Sequence, residues 1–245
     1  MSLKVISWNI NMFNISSEEF QIRCPDIVDE LVKKSKDCDI IVLIESSYPF
    51  LEKLKMSEIK KRFSLLDKLS LSHGGITNIL FNKSKIKNIS QVPIGDNMEV
   101  PVLLIRFMMN EGTYKKDYFL GGCHLAPFPE NTELRLQQLI LARTAVPPDK
   151  PLILIGDMNI REKESKLFEK DDIFNMKDSG DKKKTWFRAF FEKNSPISSR
   201  FDRLYYSSNL ELVKFDLFGR IFRNNKFELL SDHLAIKSEL KYLNK

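Results

Sequence analysis

The sequence predicts an α/β protein in which two mixed β-sheets pack together and helices cover their outer faces. Short apolar runs recur along the whole chain, and most consist of β-branched residues or leucine. Such runs are typical of strands that are buried on both faces. Segments with apolar residues at helical spacing lie between them, so that strands and helices alternate. Two packed sheets covered by helices would bury all of these segments.

The predicted strands begin close to the amino terminus and continue to the end of the chain. No apolar run approaches the ~18 residues that a bilayer-spanning helix needs. The runs are short enough to be single strands, and each is followed by polar or turn-forming residues. In chain order they are Leu3–Trp8, Asp39–Ile44, Ile76–Phe81, Val100–Met109, Tyr118–Cys123, Leu152–Ile155, Phe201–Tyr206, Leu212–Leu217 and Leu234–Leu240.

Two prolines mark predicted helix starts, because proline is favoured in the first helical turn. We expect one helix to begin at Pro25 and a second at Pro129, each followed by apolar residues at helical spacing. The segment from residue 171 to residue 199 is the least regular part of the chain. We expect this segment to be mobile or to face the substrate.

Length and composition indicate an ordinary globular protein. A chain of 245 residues can bury one large core, so we expect a single domain over residues 1–245. Its three cysteines are too few for a disulfide framework or a zinc cage, and the amino terminus lacks a signal-peptide pattern. We therefore expect an intracellular protein, nuclear or cytoplasmic, without membrane insertion and without an obligate protein partner.

The net charge of +6 is concentrated in the carboxy-terminal part of the chain. Residues 182–245 contain 14 Lys and Arg against 7 Asp and Glu, which gives 14 − 7 = +7 and leaves −1 for the rest. Twelve aromatic residues lie in the same stretch. Basic residues interleaved with aromatics suit a polyanion whose bases can stack. A lysine-rich surface over core phenylalanines would have the same composition, and both interpretations remain open here.

Five polar segments interrupt the apolar pattern at strand ends, and together they indicate one shared site. Buried carboxylates, amides and imidazoles cost free energy when they lack partners, so one polar site explains them better than five separate accidents. A carboxylate such as Glu45 at a strand tip is a natural ligand for Mg²⁺. Asn9 could orient that carboxylate or touch the metal. The five segments are Trp8-Asn9, Glu45, His124, Asp157-Met158-Asn159 and Ser231-Asp232-His233.

The segment from Gly156 to Asn159 is the most specific of the five. Glycine permits a tight bend, after which Asp157 and Asn159 face the same way because alternate residues share a face. An aspartate in this position can deprotonate or orient a water, and the amide can donate to a phosphate oxygen. The same residues could also form a simple turn before a helix over residues 161–170.

The histidines suit charge stabilisation at a phosphate. A protonated His233 would stabilise the charge that develops in the transition state. Keeping it protonated needs a carboxylate partner, and Asp202 is the candidate because it is a charge set into an apolar strand. His124 offers a second phosphate contact. His73 lies in a turn rich in serine and glycine, and we predict only a structural role for it.

Other hydrolytic chemistries lack their characteristic motifs in this sequence. There is no Gly-x-Ser-x-Gly elbow for a serine hydrolase and no Gly-x-x-x-x-Gly-Lys phosphate loop. Zinc catalysis would favour more than the three histidines present. Magnesium-assisted hydrolysis of a phosphate ester is the chemistry that remains.

The ordered set of motifs resembles the endonuclease/exonuclease/phosphatase superfamily over nearly the whole chain. This resemblance implies a four-layer α/β sandwich with the site at one mouth of the two sheets, and dependence on Mg²⁺ or Mn²⁺. Within the superfamily the chain is most similar to the tyrosyl-DNA phosphodiesterase 2 group. The patterns that carry this similarity are Gly156 to Arg161, Thr185-Trp186 and Arg200-Phe201-Asp202-Arg203.

The resemblance also implies a role for each site residue. Glu45 would bind the metal, with Asn9 and Asp232 contributing. The catalytic residues would act on the phosphate, its attacking water or a neighbouring catalytic group. The implied catalytic set is Asn9, His124, Asp157, Asn159, Asp202 and His233.

The implied substrate is a DNA end with a 5′-phosphotyrosyl linkage to protein, processed during DNA repair, with single-stranded or frayed DNA 5′ ends as the partner. Arg161, Trp186 and Arg203 would contact it. Residues 125–127 lack the acid–serine pair that follows this histidine in the tyrosyl-DNA enzymes. The alternatives are an abasic-site or RNA nuclease, a phosphoinositide or sphingomyelin phosphodiesterase, and a non-enzymatic binding module. The complete set of catalytic side chains disfavours the binding module.

Overall fold

A computed structural model of the chain contains two large β-sheets, two short two-stranded ribbons and a set of helices. The residues that the structure describes are 2–13, 15–66, 70–72, 75–95, 100–111, 114–192, 194–223 and 226–243.

The helices and strands follow one another in the alternating order that the sequence predicts. The helices are α1 (Ser17–Lys34), α2 (Tyr48–Met56), α3 (Ile59–Arg62), α4 (Thr132–Thr144) and α5 (Ser165–Lys170), with 3-10 turns at Pro129–Asn131 and Arg188–Phe190. The strands are β1 (Ser2–Asn9), β2 (Ile40–Ser46), β3 (Phe63–Leu65), β4 (Ser70–Ser72), β5 (Gly75–Asn82), β6 (Ile86–Gln91), β7 (Val102–Glu111), β8 (Tyr114–His124), β9 (Leu152–Asp157), β10 (Lys177–Asp178), β11 (Trp186–Phe187), β12 (Ser198–Ser199), β13 (Asp202–Tyr206), β14 (Leu210–Phe218), β15 (Arg220–Arg223), β16 (Lys226–Leu229) and β17 (Ala235–Tyr242).

Each large sheet contains one parallel strand pair among antiparallel ones. The first sheet has the order β14-β17-β1-β2-β5-β3, with β4 also paired to β5, and its parallel pair is β1 and β2. The second has the order β10-β13-β9-β8-β7-β6, and its parallel pair is β8 and β9. Four of the five polar segments found in the sequence lie at the carboxyl ends of these two parallel pairs, and the fifth precedes β17, which runs antiparallel to β1. The two pairs therefore position the site.

Three apolar clusters separate four layers of secondary structure. Val5 of β1 and Ile153 of β9 belong to the cluster between the two sheets. The next residues along the chain face the other way, because neighbouring strand residues alternate between faces. Ile6 accordingly packs with α1, and Leu154 packs with α4. The protein is therefore the four-layer α/β sandwich that the sequence analysis predicted.

Gly122 on β8 lies where the two sheets approach each other. A Cβ atom at this position would lie 2.7 Å from Cγ1 of Val42 on β2. Close packing of this kind leaves no room for even one extra carbon without displacing the neighbour. The absence of a side chain at Gly122 lets β8 pack against β2.

The start of the first helix was predicted too late. Helix α1 begins at Ser17, and Pro25 lies inside it. Ser16 caps the helix by accepting a hydrogen bond from the Glu19 backbone N–H at 3.1 Å, which is the usual role of serine at this position. The prediction for Pro129 is close, because this proline opens a 3-10 turn that leads directly into α4.

All nine predicted strands are present, with ends shifted by a few residues. Among the described residues, the segment 171–199 contains only short strands and one 3-10 turn. Helix α2, strand β6 and the hairpin of β15 and β16 were not predicted. His73 lies outside the described residues. None of the helices in the described part of the chain combines the length and the apolar character needed to cross a membrane.

Candidate active site

The two parallel strand pairs bring four of the predicted site residues together. The register of β1 and β2 sets Asn9 beside Ile44, so that Glu45 follows at the same edge of the sheet. The register of β8 and β9 sets His124 directly beside Asp157. Because the two sheets are packed face to face, these strand ends form one mouth of the sandwich.

Asn9 links the two sheets through its side chain. Its buried Nδ2 donates to Oε1 of Glu45 at 2.8 Å and to Oδ2 of Asp157 at 3.1 Å. The Asn11 backbone N–H donates to Oδ1 of Asn9 at 3.1 Å. Both ends of the amide are engaged, so Asn9 orients the two carboxylates. Of the two roles that the sequence left open for Asn9, the hydrogen bond to Glu45 matches the orienting one.

A β-bulge positions Glu45. The pairing of β2 with β5 shifts register between Leu43 and Ser46, and Glu45 between them has φ +53°. Positive φ is uncommon for a non-glycine residue, and bulges are enriched beside active sites because they redirect a side chain. The bulge sends the Glu45 carboxylate to the mouth of the sandwich.

Gly156 makes the sharp bend that precedes Asp157. Its φ is +144°, and a Cβ atom would lie only 2.2 Å from the carbonyl oxygen of Cys123. Both facts exclude a side chain at this position without backbone movement. The glycine that sequence analysis singled out therefore fixes the approach of β9 to β8, where His124 stands beside Asp157.

Asp157 is held in place by backbone and side-chain donors. Its Oδ1 accepts a hydrogen bond from the Asn159 backbone N–H at 2.9 Å. The Asn159 side chain donates from Nδ2 to the carbonyl oxygen of Leu125 at 3.0 Å. An amide nitrogen carries two hydrogens, so this contact uses one of them. Asn159 thus orients Asp157 through its backbone, and its side chain borders the same cavity.

His233 is bound to Asp202, as the sequence predicts. Its Nδ1 lies 2.8 Å from Oδ2 of Asp202, and its Nε2 lies 3.6 Å from Oδ2 of Asp157. Trp8 fixes the backbone here by donating from Nε1 to the His233 carbonyl oxygen at 3.0 Å. Burial by itself would lower the pKa of His233, but the charges of Asp202, Asp232 and Asp157 raise that pKa well above its ordinary value. The three carboxylates therefore favour the cationic form of the ring.

Asp232 orients its neighbours. Its Oδ2 accepts a hydrogen bond from Nε1 of Trp186 at 2.9 Å, and its Oδ1 accepts one from Nδ2 of Asn11 at 3.0 Å. Its Oδ2 also lies 3.7 Å from Nε2 of His233, so Asp232 borders the group of possible metal ligands described next without belonging to it. A contact of Asp232 with the metal therefore stays a prediction.

Three side chains could together hold a metal ion. One ligand atom each from Glu45, His124 and Asp157 lies within 4.8 Å of the others. The pKa of Glu45 is raised to about 7, chiefly by burial and to a smaller extent by the charges of Asp157 and Asp232, against the lowering by the hydrogen bond from Asn9 and the charge of His233. A divalent cation would stabilise this crowded negative charge, and carboxylate oxygens are the ligands that Mg²⁺ and Mn²⁺ prefer. The donor set thus fits a divalent metal.

A cavity of about 1390 Å³ opens above these groups. One wall is aromatic: the ring centroids of Trp186 and Phe201 are 5.3 Å apart, and the guanidinium of Arg161 lies 5.5 Å above the Phe201 ring. Phe128 and Phe191 line the cavity from other segments and are largely exposed. The predicted substrate contacts Arg161 and Trp186 therefore face the cavity beside the catalytic groups.

Arg203 does not reach this cavity, and the prediction that it binds substrate is wrong. Its side chain is 2% exposed. The guanidinium donates to the Ile160 carbonyl oxygen at 3.1 Å and to Oγ of Ser165 at 2.9 Å, and it pairs with Asp178 at 3.3 Å. Arg203 therefore stabilises the segment that follows Asp157, and it does so outside the cavity. Its neighbour Asp202 faces the site because adjacent strand residues alternate in direction.

Sequence analysis gave no role to two residues that support the site. Oγ1 of Thr185 accepts hydrogen bonds from the backbone N–H groups of Phe201 and Asp202 at 3.1 and 2.9 Å. Asn11 binds Asp232 and has φ +47°. Thr185 follows the lysine run directly, and Asn11 lies two residues after Asn9. Both could have been found by extending the motifs beyond the residues with catalytic side chains.

Comparison with known proteins agrees with this arrangement. Residues 6–233 match the model of the Endonuclease/Exonuclease/phosphatase family. A truncated TDP2 from Caenorhabditis elegans has a TM-score of 0.72 and 24% identity, covering 98% of this chain and 97% of that one. TDP2 from D. rerio, solved with a single strand DNA product, has a TM-score of 0.72 and 19% identity, covering 98% and 99%. The human Nocturnin catalytic domain has a TM-score of 0.70 and 16% identity, covering 98% and 93%.

Comparison with curated protein sequences yields no significant match. The structural similarities are at low identity, and they show a fold shared with TDP2 without specifying a substrate. The family match spans nearly the whole chain and includes every catalytic segment described above. The chain belongs to the Endonuclease/Exonuclease/phosphatase family, whose members are metal-dependent phosphoric ester hydrolases.

Proposed function

We propose that this protein is a Mg²⁺-dependent phosphodiesterase that hydrolyses 5′-phosphotyrosyl linkages at single-stranded or frayed DNA ends, in DNA repair. The observation that carries the proposal is the convergence of both site histidines on one carboxylate. Nε2 of His233 and Nε2 of His124 lie 3.6 and 3.9 Å from Oδ2 of Asp157. A carboxylate flanked by two imidazoles suits attack of a water on a phosphate ester.

The reaction needs no covalent enzyme intermediate. Asp157 orients the attacking water and accepts its proton, while the water oxygen bonds to phosphorus and the bond to the tyrosyl oxygen breaks. His233 donates from Nε2 to a phosphoryl oxygen, since its Nδ1 is committed to Asp202. The second N–H of Asn159 and the imidazole of His124 provide further donors. The tyrosyl oxygen leaves with the electron pair of its bond to phosphorus and takes up a proton from solvent, so the products are a 5′-phosphate end and a free tyrosyl hydroxyl.

A divalent metal bound by Glu45, with Asp157 and His124 beside it, would polarise a phosphate oxygen and stabilise the leaving oxygen. Asn9 keeps Glu45 oriented for this purpose by donating to Oε1. Mg²⁺ is the metal we propose, because it binds through few carboxylates together with substrate phosphates. Mn²⁺ has similar ligand preferences and should substitute.

Two observations support a nucleic-acid substrate. Trp186, packed against the buried Phe201, offers a ring on which an unpaired base can stack, and Arg161 beside it can pair with a phosphate. The structural neighbour from D. rerio was solved with a single strand DNA product. An intracellular location is part of the proposal, supported by three cysteines that are all buried free thiols.

The deciding experiment measures hydrolysis of a single-stranded oligonucleotide with a 5′-phosphotyrosyl end, with and without Mg²⁺. Asp157→Asn serves as the active-site control, because it keeps the size of the side chain and removes its charge. We expect a 5′-phosphate end to form only with metal and with intact Asp157. Loss of one electrostatic group of this kind commonly costs about 10²–10³ in rate.

Two outcomes would contradict the proposal. Metal-independent release, or turnover by the folded Asp157→Asn variant close to that of the wild type, would exclude the mechanism. A folded, metal-binding protein that leaves the phosphotyrosyl end intact would exclude the substrate while keeping the family chemistry. Abasic DNA, RNA and phospholipid head groups would then be the substrates to test.

A further inference from the structure

Phe128 has a backbone conformation that is unfavourable for a bulky residue. Its dihedral angles are φ +71° and ψ 149°, at the start of the 3-10 turn before α4. This region of backbone space is occupied almost only by glycine, because a Cβ atom crowds the neighbouring carbonyl groups. Backbone strain of this kind persists only where the surrounding structure imposes it, and it concentrates at ligand-binding sites.

A buried ion pair imposes the conformation. The fully buried Arg135 of α4 donates from Nη1 to the carbonyl oxygens of Ala126 and Phe128, at 2.8 and 2.7 Å. Its Nη2 donates to both carboxylate oxygens of Glu164 at 2.8 Å each. The Asn131 side chain adds a hydrogen bond to the Pro127 carbonyl oxygen at 2.6 Å. The backbone of residues 126–128 is thus fixed on a rigid support.

The Phe128 ring contributes little to the core of the protein. The residue is 61% exposed and is among those that line the large cavity beside Asp157. A glycine at this position would adopt the same backbone without strain. The phenylalanine therefore costs free energy that the packing of its own ring does not offset.

We propose that Phe128 is a specificity-determining residue whose ring stacks on an unpaired base next to the scissile phosphate. This inference rests on the proposed function and adds a second aromatic contact, on a segment separate from Trp186 and Phe201. Stacking on an aromatic ring is nearly independent of base identity, because every base has a π-face. The proposal therefore predicts preference for unpaired ends with little dependence on sequence.

The test compares two forms of one single-stranded 5′-phosphotyrosyl oligonucleotide, one with normal bases and one that lacks bases at the first two nucleotides. The variants are Phe128→Ala, Phe128→Gly and the control Phe222→Ala. Phe222 is 65% exposed and lies outside the residues that line the cavity. Phe128→Gly removes the ring and the backbone strain together, whereas Phe128→Ala removes only the ring.

On the normal oligonucleotide we expect both Phe128 variants to raise KM about 5- to 100-fold, the range for loss of one base-stacking contact, with a smaller effect on kcat. On the oligonucleotide without bases, the variants and the wild type should converge. Phe222→Ala should match the wild type on both. The Phe128→Gly variant should unfold at a higher temperature than Phe128→Ala, because glycine relieves the strain.

Unchanged KM in the Phe128 variants, or a loss that persists on the oligonucleotide without bases, would overturn the inference. Binding of the unmodified single strand, measured by fluorescence anisotropy, separates this failure from failure of the proposed function. If the wild type binds the strand without cleaving it, the proposed substrate is wrong, and the ratio of Kd values between Phe128→Ala and wild type decides the role of Phe128. If the wild type does not bind the strand, both proposals fail.

Discussion

Nδ1 of His233 lies 2.8 Å from Oδ2 of Asp202, and both side chains are buried at the mouth of the two sheets. This contact fixes the orientation of the imidazole, so that Nε2 points toward Asp157 at 3.6 Å. Burial lowers the pKa of His233, and the charge of Asp202 is the largest of the effects that raise it. One hydrogen bond therefore sets both the direction and the charge of the group that we expect to stabilise the phosphate.

Replacing Asp202 with asparagine should lower the pKa of His233 and reduce the rate at alkaline pH. A histidine with a raised folded pKa stabilises the fold below its unfolded pKa of about 6.5, and this stability is lost as pH rises through the folded value. In Asp202→Asn both the rate and this stability should be lost at lower pH than in the wild type. We expect about 10²-fold lower kcat/KM at pH 8 and a smaller deficit at pH 6.

The measurement is a pH–rate profile for both proteins, with the histidine titration followed by NMR. Asp117→Asn is the matched control, because Asp117 pairs with Arg106 at the surface, away from the cavity. If the rate falls at the same alkaline pH in Asp202→Asn and in the wild type, Asp202 does not set the pKa of the group that controls the rate.

Metal binding should stabilise the protein more at pH 8 than at pH 6. Burial raises the pKa of Glu45 to about 7 in the metal-free protein, so its protonated form is favoured below that pH. A carboxylate with a raised folded pKa destabilises the fold as pH rises, because the folded state must give up a proton it holds more tightly than the unfolded state. A cation at Glu45 removes this penalty, and it competes with the proton at low pH.

Thermal unfolding with and without Mg²⁺ at both pH values provides the check. We expect the gain in Tm on adding Mg²⁺ to be larger at pH 8, and the metal-free Tm to fall between pH 6 and pH 8. In Glu45→Gln both effects should be absent or much smaller. Equal metal-induced shifts in Glu45→Gln and wild type would remove Glu45 from the metal site.

The buried Arg135–Glu164 pair should matter far more for stability than a surface pair. Arg135 is fully buried and contacts both oxygens of Glu164 at 2.8 Å, so Glu164→Ala leaves an uncompensated buried charge. Removing one partner of such a pair typically costs about 3–5 kcal/mol. The pair of the exposed Arg106 and the partly buried Asp117 is the control, and Asp117→Ala should cost much less than Glu164→Ala. Chemical denaturation of both variants measures the difference, and similar losses would contradict the assigned role of Arg135.

The sequence predicted the layers and the polar residues that meet at the candidate site because both leave local signals. Buried strands are continuous apolar runs, and the polar side chains of the site interrupt those runs at their ends, as Glu45 and Asp157 do. Other features depend on contacts between distant segments. The burial of Arg203 follows from packing against residues 160–178, and the strain at Phe128 follows from Arg135 on the next helix. No pattern around either residue reveals these contacts, so the role of Arg203 was predicted wrongly and that of Phe128 was missed.

Gly156 should be among the least replaceable residues of the chain, because it meets two independent constraints. Its φ of +144° disfavours any side chain, and an added Cβ atom would lie 2.2 Å from the Cys123 carbonyl oxygen and 2.9 Å from Ile44 Cδ1. The backbone would have to move directly before Asp157. We expect Gly156→Ala to lower the free energy of unfolding by at least about 3 kcal/mol and to abolish most activity in the folded fraction.

Gly180→Ala separates the two constraints. Gly180 also has positive φ, +74°, but an added Cβ atom would meet nothing within 4 Å. We therefore expect Gly180→Ala to lower the free energy of unfolding by only about 1–2 kcal/mol, the cost of the unfavourable backbone conformation, and to keep normal activity. Urea unfolding and turnover on a common substrate measure both variants. If Gly156→Ala were no worse than Gly180→Ala, the close approach of β9 to β8 would not be what positions Asp157, and the alignment of His124 with Asp157 would need another cause.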